Sequence, residues 1–276
     1  MNGSTHASGG SLRIEWDAVR TLMLRELIRF FRQRTRVVGA LVQPILFWVL
    51  FGAGLRGSFQ PPKWAAADMS YQEFFFPGVA VMIVMFTAIF STISIIEDRK
   101  EGFLQGVLVS PISRLSLVLG KITGGAALAL LQAGLFLLIA PWMGLSFTPV
   151  SWICMMLYLT LIAFALTGLG FLIAWPLDST QGFHAVMSIF LMPLWLLSGS
   201  FFPVGESGWL SWIMVFNPLT YGVAGLRRIL YWNQSLPTGP GFPQLYVCVP
   251  VVILFAAGCV LGAVKLASRS SVHNVR

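Results

Sequence analysis

The sequence predicts an all-α membrane protein with six transmembrane helices and both termini on the cytoplasmic side. Composition is the first reason: 57% of the residues are hydrophobic and only 10% are charged, whereas soluble domains carry about 25% charged residues. Length is the second, because a helix needs roughly 20 mostly apolar residues to cross the hydrocarbon core. The stretches that meet this requirement are residues 37–55, 74–96, 115–140, 152–175, 184–202 and 245–266.

Basic residues set the predicted orientation, because cytoplasmic loops are enriched in Lys and Arg near the ends of spans. With six spans both termini lie on one side, and fourteen of the eighteen Lys and Arg residues then fall on that side. The other side holds Arg56, Lys63, Arg227 and Arg228. We therefore expect both termini in the cytoplasm. Such a surface attracts anionic membrane lipids, whereas nucleic-acid binding would need a soluble basic face, which we do not find.

The N-terminal segment precedes the first predicted span. Residues 1–15 are mostly small and polar near their start, which predicts a disordered N-terminus without a cleavable signal peptide. Residues 16–36 predict an amphipathic interfacial helix whose arginines face the lipid headgroups. Its apolar residues recur at steps of three and four: Val19, Leu22, Met23, Leu27, Phe30 and Phe31. The alternative is a cytoplasmic helix that packs on a partner protein.

A charged insert, residues 97–114, separates the second and third predicted spans, where a few turn residues would suffice. Gly102 permits a bend, and Leu104 and Leu108 give the following segment an apolar face at helical spacing. Ser113 can cap the third span. The pattern predicts a short helix across the membrane surface with an aliphatic centre and a charged rim, as in small protein–protein interfaces. The alternative is a loop helix that rests on lipid.

The transmembrane domain is predicted to extend over residues 37–266, with a C-terminal tail at 267–276. Its longest external segment covers residues 198–243 and is rich in Trp and Tyr, whose side chains prefer the membrane–water interface. We expect re-entrant or interfacial helices there. Pro193 makes the preceding span the least regular of the six.

Titratable residues argue against several classes of function. All ten Asp and Glu residues lie outside the predicted spans or at their edges, whereas cation-coupled secondary transporters place a carboxylate at membrane depth. His184 is the deep titratable candidate, and a structural role is the simpler interpretation. We find no phosphate-binding P-loop, and Ser198-Gly199-Ser200 lacks the G-x-S-x-G elbow of a serine hydrolase. We expect no catalytic residue, metal or cofactor on this chain; a secondary transporter and an intramembrane protease are the less favoured alternatives.

Three motifs resemble those of a known family. The insert reads DRKEGFLQGVLVSPISR at residues 98–114 and is followed by LGK at 119–121; a second motif, LSGSFFP at 197–203, precedes NPLTY at 217–221. The N-terminal helix contributes RELIRF at 25–30. Together they resemble type 2 ATP-binding-cassette (ABC) exporter permeases, in particular the drug-resistance branch with its daunorubicin-type permeases. Departures from the family pattern occur at Phe103, Gln105 and Gly106.

The resemblance implies the membrane permease subunit of an ATP-driven exporter in the bacterial cytoplasmic membrane. Two permease chains, usually identical, would pair with two cytoplasmic ATPase subunits, which would bind ATP and Mg. The cargo would be a lipophilic or amphipathic compound; a lipid or glycan exporter of the same architecture is the alternative. On this resemblance we assign ATPase coupling to residues of the insert: Asp98, Arg99, Glu101, Leu104, Leu108 and Arg114.

In members of that family the second and fifth spans face the dimer axis, which implies a substrate path between them. The corresponding side chains here are apolar and adaptable, and Thr87 adds a hydroxyl group. Such a surface suits a bulky lipophilic molecule better than a charged polymer, although the same residues can also pack helix on helix. We assign the path to Met82, Met85, Phe86, Thr87, Phe90, Met187, Phe190 and Leu194.

Overall fold

The computed structural model describes residues 7–61, 69–143, 145, 148–201, 208–232 and 242–273, which are almost entirely helical and contain no β-strand. A 3-10 turn, Ala140–Met143, follows α6, and a π-helical segment, Leu196–Ser200, follows α8. The α-helices of the described chain are α1 (Ala7–Arg32), α2 (Arg34–Gly54), α3 (Tyr71–Ser91), α4 (Ile93–Lys100), α5 (Phe103–Val109), α6 (Arg114–Leu137), α7 (Pro149–Ala174), α8 (Thr180–Trp195), α9 (Gly208–Phe216), α10 (Pro218–Leu230) and α11 (Leu245–His273).

Five helical stretches in the described chain are long and apolar enough to cross a membrane. They are Tyr71–Lys100, Arg114–Met143, Pro149–Ala174, Thr180–Ser200 and Leu245–Arg269. These five correspond to the second through sixth spans predicted from the sequence. The predicted first span corresponds to α2, in which the apolar stretch among the described side chains, Val42–Gly54, is shorter than a full span. The prediction of a helical multi-span protein is confirmed, with five candidate spans.

Helix α3 lies at the centre of the bundle, in contact with α2, α6 and α7. It begins with a capping box in which the Ser70 hydroxyl accepts from the Glu73 N–H and the Glu73 carboxylate accepts from the Ser70 N–H. Aromatic rings fix its first turns against neighbours, with Phe76 stacked on Phe136 at 4.6 Å between centroids. Nearly every α3 side chain is buried, so this helix contacts protein on all sides.

Helix α1 packs along α6 because two glycines remove the side chains that would separate them. A Cβ atom at Gly120 would lie 2.7 Å from the Cβ of Leu22, and one at Gly124 would lie 2.8 Å from the Cβ of Glu26. Small residues four apart permit this close approach between helices in a membrane. The apolar face predicted to contact lipid therefore lies partly on protein. A separate apolar stripe is exposed and includes Trp16, Leu24 and Ile28.

The predicted external segment contains α9 and α10, whose surroundings differ. Helix α9 exposes Trp212 and Phe216, as expected of an interfacial helix. Helix α10 is buried, and Arg227, counted above as a basic residue of the outer surface, is enclosed. Its guanidinium donates to the carbonyl oxygens of Phe74 and Gly199 at 3.2 and 3.3 Å. The burial of Arg227 removes it from the surface charge used to predict orientation.

Candidate functional site

A cluster of buried charges joins α1, α4 and α6 at one end of the bundle. Asp98 of α4 is fully buried, and Glu26 of α1 and Lys121 of α6 are nearly so. The Lys121 ammonium group contacts both carboxylates and lies 3.3 Å from the Ser94 hydroxyl. One cation therefore links two acidic residues that come from different helices.

Two arginines of α1 complete this ion cluster. Arg25 forms a two-pronged pair with Asp98, with nitrogen–oxygen distances of 2.9 and 2.6 Å. Arg29 donates to Asp98 at 2.7 Å and pairs with Glu97 at 2.8 Å. The Arg25 guanidinium also lies 3.7 Å from the centre of the Phe103 ring, at the start of α5. The numbers of cationic and carboxylate side chains in the ion cluster are nearly equal, and this pairing allows charges to be buried.

Helix α1 is tied to the insert at a second point. The Ser113 backbone N–H donates to the two carboxylate oxygens of Glu15 at 2.9 and 3.0 Å, and its hydroxyl donates at 2.7 Å. The Ser116 hydroxyl, followed by the Ser113 hydroxyl and N–H, lowers the pKa of Glu15 below its ordinary value of 4.5. The insert is thus held to α1 near both of its ends, by Arg25 and Arg29 at one and by Glu15 at the other.

The short helix α5 presents a different face from the one predicted. Gly102 turns the chain between α4 and α5 with a φ of 78°, which glycine adopts without strain. Leu104 is only 2% exposed and packs into the protein's own core, so it is not at the surface in the described conformation, and its assignment to coupling stays a prediction. Leu108 is partly buried. The side chains that face outward are Gln105 and Val109, the latter 86% exposed.

Other residues assigned to coupling have intramolecular contacts. Arg99 donates to the carbonyl oxygen of Leu177 at 3.1 Å, to that of Trp175, and to the Asp178 carboxylate at 2.9 Å. Arg99 thereby connects the end of α4 to the loop between α7 and α8. Arg114 donates to the Leu108 carbonyl oxygen at 3.1 Å, which holds the end of α5.

Glu101 lies at the rim of the ion cluster, 3.3 Å from Arg29, with its side chain 59% exposed. Asp98, by contrast, lies at its centre. Four members of the ion cluster were not predicted as site residues: Lys121, Glu26, Arg25 and Arg29. A signal was present, because Lys121 falls inside a predicted span and a cation there requires acidic partners.

A row of buried polar side chains runs from the ion cluster into the bundle. Thr87, Ser91, Ser94 and Asp98 recur at helical spacing along α3 and α4, and all four are buried. The first of them, Thr87, donates a hydrogen bond to the Gln132 side chain of α6. The α3–α6 interface is therefore polar over about three turns, from the middle of α3 to the cluster.

A cleft of about 440 Å³ opens beside this row, between the α1–α2 junction, α3 and the start of α8. Phe86, Thr87 and Phe90, which were assigned to the substrate path, contribute to its wall, as does His184. Its volume lies within the range of about 300–1,000 Å³ typical of small-molecule sites.

The remaining residues assigned to the path lie elsewhere. Met82, Met85 and Met187 are buried in the protein's own core and do not line the cleft in the described conformation, so their assignment to the path stays a prediction. They fill space within the bundle because α3 is enclosed by its neighbours. Phe190 is exposed on α8, and Leu194 is partly buried.

Comparisons with known proteins identify the family. The family model described as "ABC-2 type transporter" matches residues 17–231. The chain is 29% identical over 217 residues to a putative transport permease, ycf38, of Cyanophora paradoxa, covering 78% of this chain and 74% of that protein. It is 24% identical over 258 residues to the probable doxorubicin resistance ABC transporter permease protein DrrC of Mycobacterium tuberculosis, covering 90% and 87%.

A third relative is the probable multidrug ABC transporter permease YbhR of Escherichia coli K12. The identity is 28% over 178 residues, which cover 63% of this chain and 48% of that protein. The family match extends from α1 through α10 and includes the ion cluster, the insert and the cleft. The described residues include five helical stretches long and apolar enough to cross a membrane, and the chain is a multi-pass membrane protein that belongs to the ABC-2 type transporter family.

Proposed function

We propose that this chain is the membrane permease subunit of an ATP-driven exporter for a lipophilic or amphipathic compound. It acts as a homodimer with two copies of a cytoplasmic ABC ATPase, which bind ATP and Mg. The bundle has six spans, with α2 as the first, and both termini face the cytoplasm of a bacterial cell. The observation that supports this proposal most directly is the insert, anchored by the buried ion cluster in a chain of this family.

The outward face of α5 is the proposed docking surface for the ATPase. Gln105 and Val109 are exposed there, Glu101 lies beside them, and Leu108 is partly accessible. An exposed aliphatic side chain with a charged neighbour fits a small interface in which an apolar centre contributes most of the affinity. Leu104 supports this surface from the inside by fixing α5 on the core.

Coupling then depends on how firmly α5 is joined to the spanning helices. Asp98 and Lys121 link α4 to α6, Arg25 links α4 to α1, and Glu26 links α1 to α6 through Lys121. Arg99 links α4 to the loop that precedes α8. A displacement of α5 by the ATPase would move these helices together, because breaking a buried ion pair costs several kcal/mol. Arg99 and Arg114 therefore act as positioning residues within the permease.

The cleft is the proposed point at which the compound leaves the cytoplasm or the inner leaflet. Phe86, Thr87 and Phe90 border it, and Phe190 and Leu194 extend the path along α8. Two relatives carry names that refer to doxorubicin and linearmycin resistance, which supports an amphipathic substrate over a charged polymer.

Reconstitution tests the proposal. The permease and a cassette ATPase that co-purifies with it are placed in inside-out proteoliposomes, and doxorubicin accumulation is followed by its fluorescence. We expect accumulation that requires ATP and persists with a protonophore. The matched control is an ATPase whose P-loop lysine is replaced by alanine. Accumulation that continues without ATP and collapses with the proton gradient would overturn the proposal.

A further inference from the structure

The wall of the cleft combines aromatic rings with uncharged hydrogen-bonding groups. Phe86 and Phe90 stack with 5.6 Å between ring centres and an interplanar angle of 18°, and the His184 ring lies 5.3 Å from Phe90. Amide groups come from Gln33 and Gln43. A flat ring system can pack on these faces while its polar groups meet the amides.

None of the residues that line this wall is acidic. Glu26 and Glu97 of the ion cluster lie one turn from the wall residues Phe30 and Ile93, where they pair with Arg25 and Arg29. The sequence contains no Asp or Glu between residues 27 and 67, between 74 and 96, or between 179 and 205. A cationic ligand in the cleft would give up part of its hydration without a carboxylate of the wall to pair with, which is unfavourable.

We propose that the cleft selects an uncharged amphipathic molecule with a flat aromatic or conjugated body and several hydrogen-bonding groups, in preference to a cationic one. This inference rests on the proposed export function and names the substrate class of that site. The ring system lies against Phe86 and Phe90, and its polar groups face Gln33, Gln43 and the Thr87 hydroxyl. The selection arises from the charge of the wall, because the same shape with an ammonium group carries a desolvation cost that the cleft does not offset.

A matched pair of fluorescent probes tests this selection. Doxorubicin carries an amino sugar that is cationic at neutral pH, whereas N-acetyldoxorubicin has the same ring system and no charge. Binding of each probe to the full-length permease is measured at pH 7 in phosphatidylcholine nanodiscs, with empty nanodiscs subtracted. We expect the dissociation constant of the acetylated probe to be at least about tenfold lower, which corresponds to about 1.4 kcal/mol.

Two isosteric substitutions locate the effect. Gln43→Glu places a carboxylate on the wall and should shift the ratio of the two dissociation constants toward doxorubicin by about tenfold. Gln181→Glu makes the same change at an exposed position of α8 outside the cleft and should leave the ratio unchanged. This comparison separates charge selection in the cleft from partitioning of the less polar probe into lipid.

Each result of the binding experiment supports or overturns the proposed substrate class or its location in the cleft. Tighter binding of doxorubicin overturns the substrate class, and equal shifts in the two variants overturn the location. Absence of binding by either probe also overturns the inference. The export function is judged separately by ATP-dependent accumulation in proteoliposomes, which can succeed through a different site.

Discussion

Two buried cations, Lys121 and Arg227, lie near opposite ends of the helix formed by α3 and α4, and different groups stabilise them. Lys121 contacts the carboxylates of Glu26 and Asp98. Arg227 lies near Phe74, roughly 36 Å along the helix from Asp98 at 1.5 Å per residue. In the described chain its partners are the carbonyl oxygens of Phe74 and Gly199 and the Phe74 ring, 4.4 Å from its guanidinium carbon.

The difference shows two ways to keep a charge inside a membrane protein. The ion cluster uses side chains of opposite charge from three helices, so its stability depends on every member remaining charged. The site around Arg227 uses backbone carbonyls, and the Gly199 carbonyl is free to accept because α8 ends in a π-helical segment with Gly199 at a φ of 75°. One end therefore depends on charge balance and the other on backbone geometry.

Removing the central carboxylate should have the largest effect on stability. Asp98→Asn leaves the buried Lys121 and the partly buried Arg25 with too few carboxylates, and we expect a loss of about 3–5 kcal/mol in the free energy of unfolding. Equilibrium unfolding in mixed micelles measures it. The matched control is Glu101→Gln at the exposed rim, which should cost less than about 1 kcal/mol. Adding Lys121→Met to Asp98→Asn should recover part of the lost stability, because it removes the unpaired cation. Equal losses from Asp98→Asn and Glu101→Gln would contradict this account.

The site around Arg227 should respond to backbone changes as well as to loss of charge. Arg227→Met removes the hydrogen bonds from the guanidinium to the Phe74 and Gly199 carbonyls and should cost about 1–3 kcal/mol. Gly199→Ala forces a side chain into the left-handed region and should cost about 1–2 kcal/mol. If the two residues act together, the double variant should lose less free energy of unfolding than the sum of the losses in the two single variants. Strict additivity in the same unfolding assay would show that the carbonyl does not serve Arg227.

Most of the fold could be predicted from the hydrophobic pattern of the sequence. Much of the site could not, because it depends on contacts between residues that are distant in sequence. The apolar runs located five spanning helices, and the spacing of Leu104 and Leu108 located α5. Which face of α5 is buried was not encoded locally, because it depends on how Gly102 turns the chain onto the core.

The sequence likewise marked Asp98 and Arg99 as important but assigned them to a partner surface. Both side chains turn inward, toward α1 and toward the loop after α7, since those elements offer an arginine pair and carbonyl oxygens that accept hydrogen bonds. The role of Gly120 and Gly124 could not be predicted from the sequence either, because it depends on α1 lying against them. Local pattern gives the elements, while long-range packing decides which charges meet.

Substitutions of exposed residues at the two ends of the bundle should differ in their effect on ATPase binding and have little effect on stability. Val109→Asp changes an exposed side chain on α5 and should weaken binding of the ATPase by about tenfold while the permease remains folded. The matched control is Val150→Asp. Val150 is exposed at the start of α7, at the end of the bundle opposite α5, and an acid is tolerated near a helix N-terminus. Co-purification and ATP-dependent transport measure the effect. Equal ATPase binding by the two variants would contradict docking on this face.

The smallest expected effect concerns the second tie between α1 and the insert, and it depends on pH. Hydrogen bonds from Ser116 and Ser113 hold the pKa of Glu15 below its ordinary value of 4.5. A carboxyl group whose pKa is lower in the folded protein stabilises it above 4.5, and this contribution is lost as the pH falls through the lower folded value. Glu15→Gln removes the titration, so the difference in melting temperature between wild type and variant should narrow as the pH is lowered from 6 toward 3. Asp17→Asn, at an exposed position two residues away, is the control and should show no such narrowing. A constant difference for Glu15→Gln across this range would mean that α1 is held to the insert by the ion cluster alone.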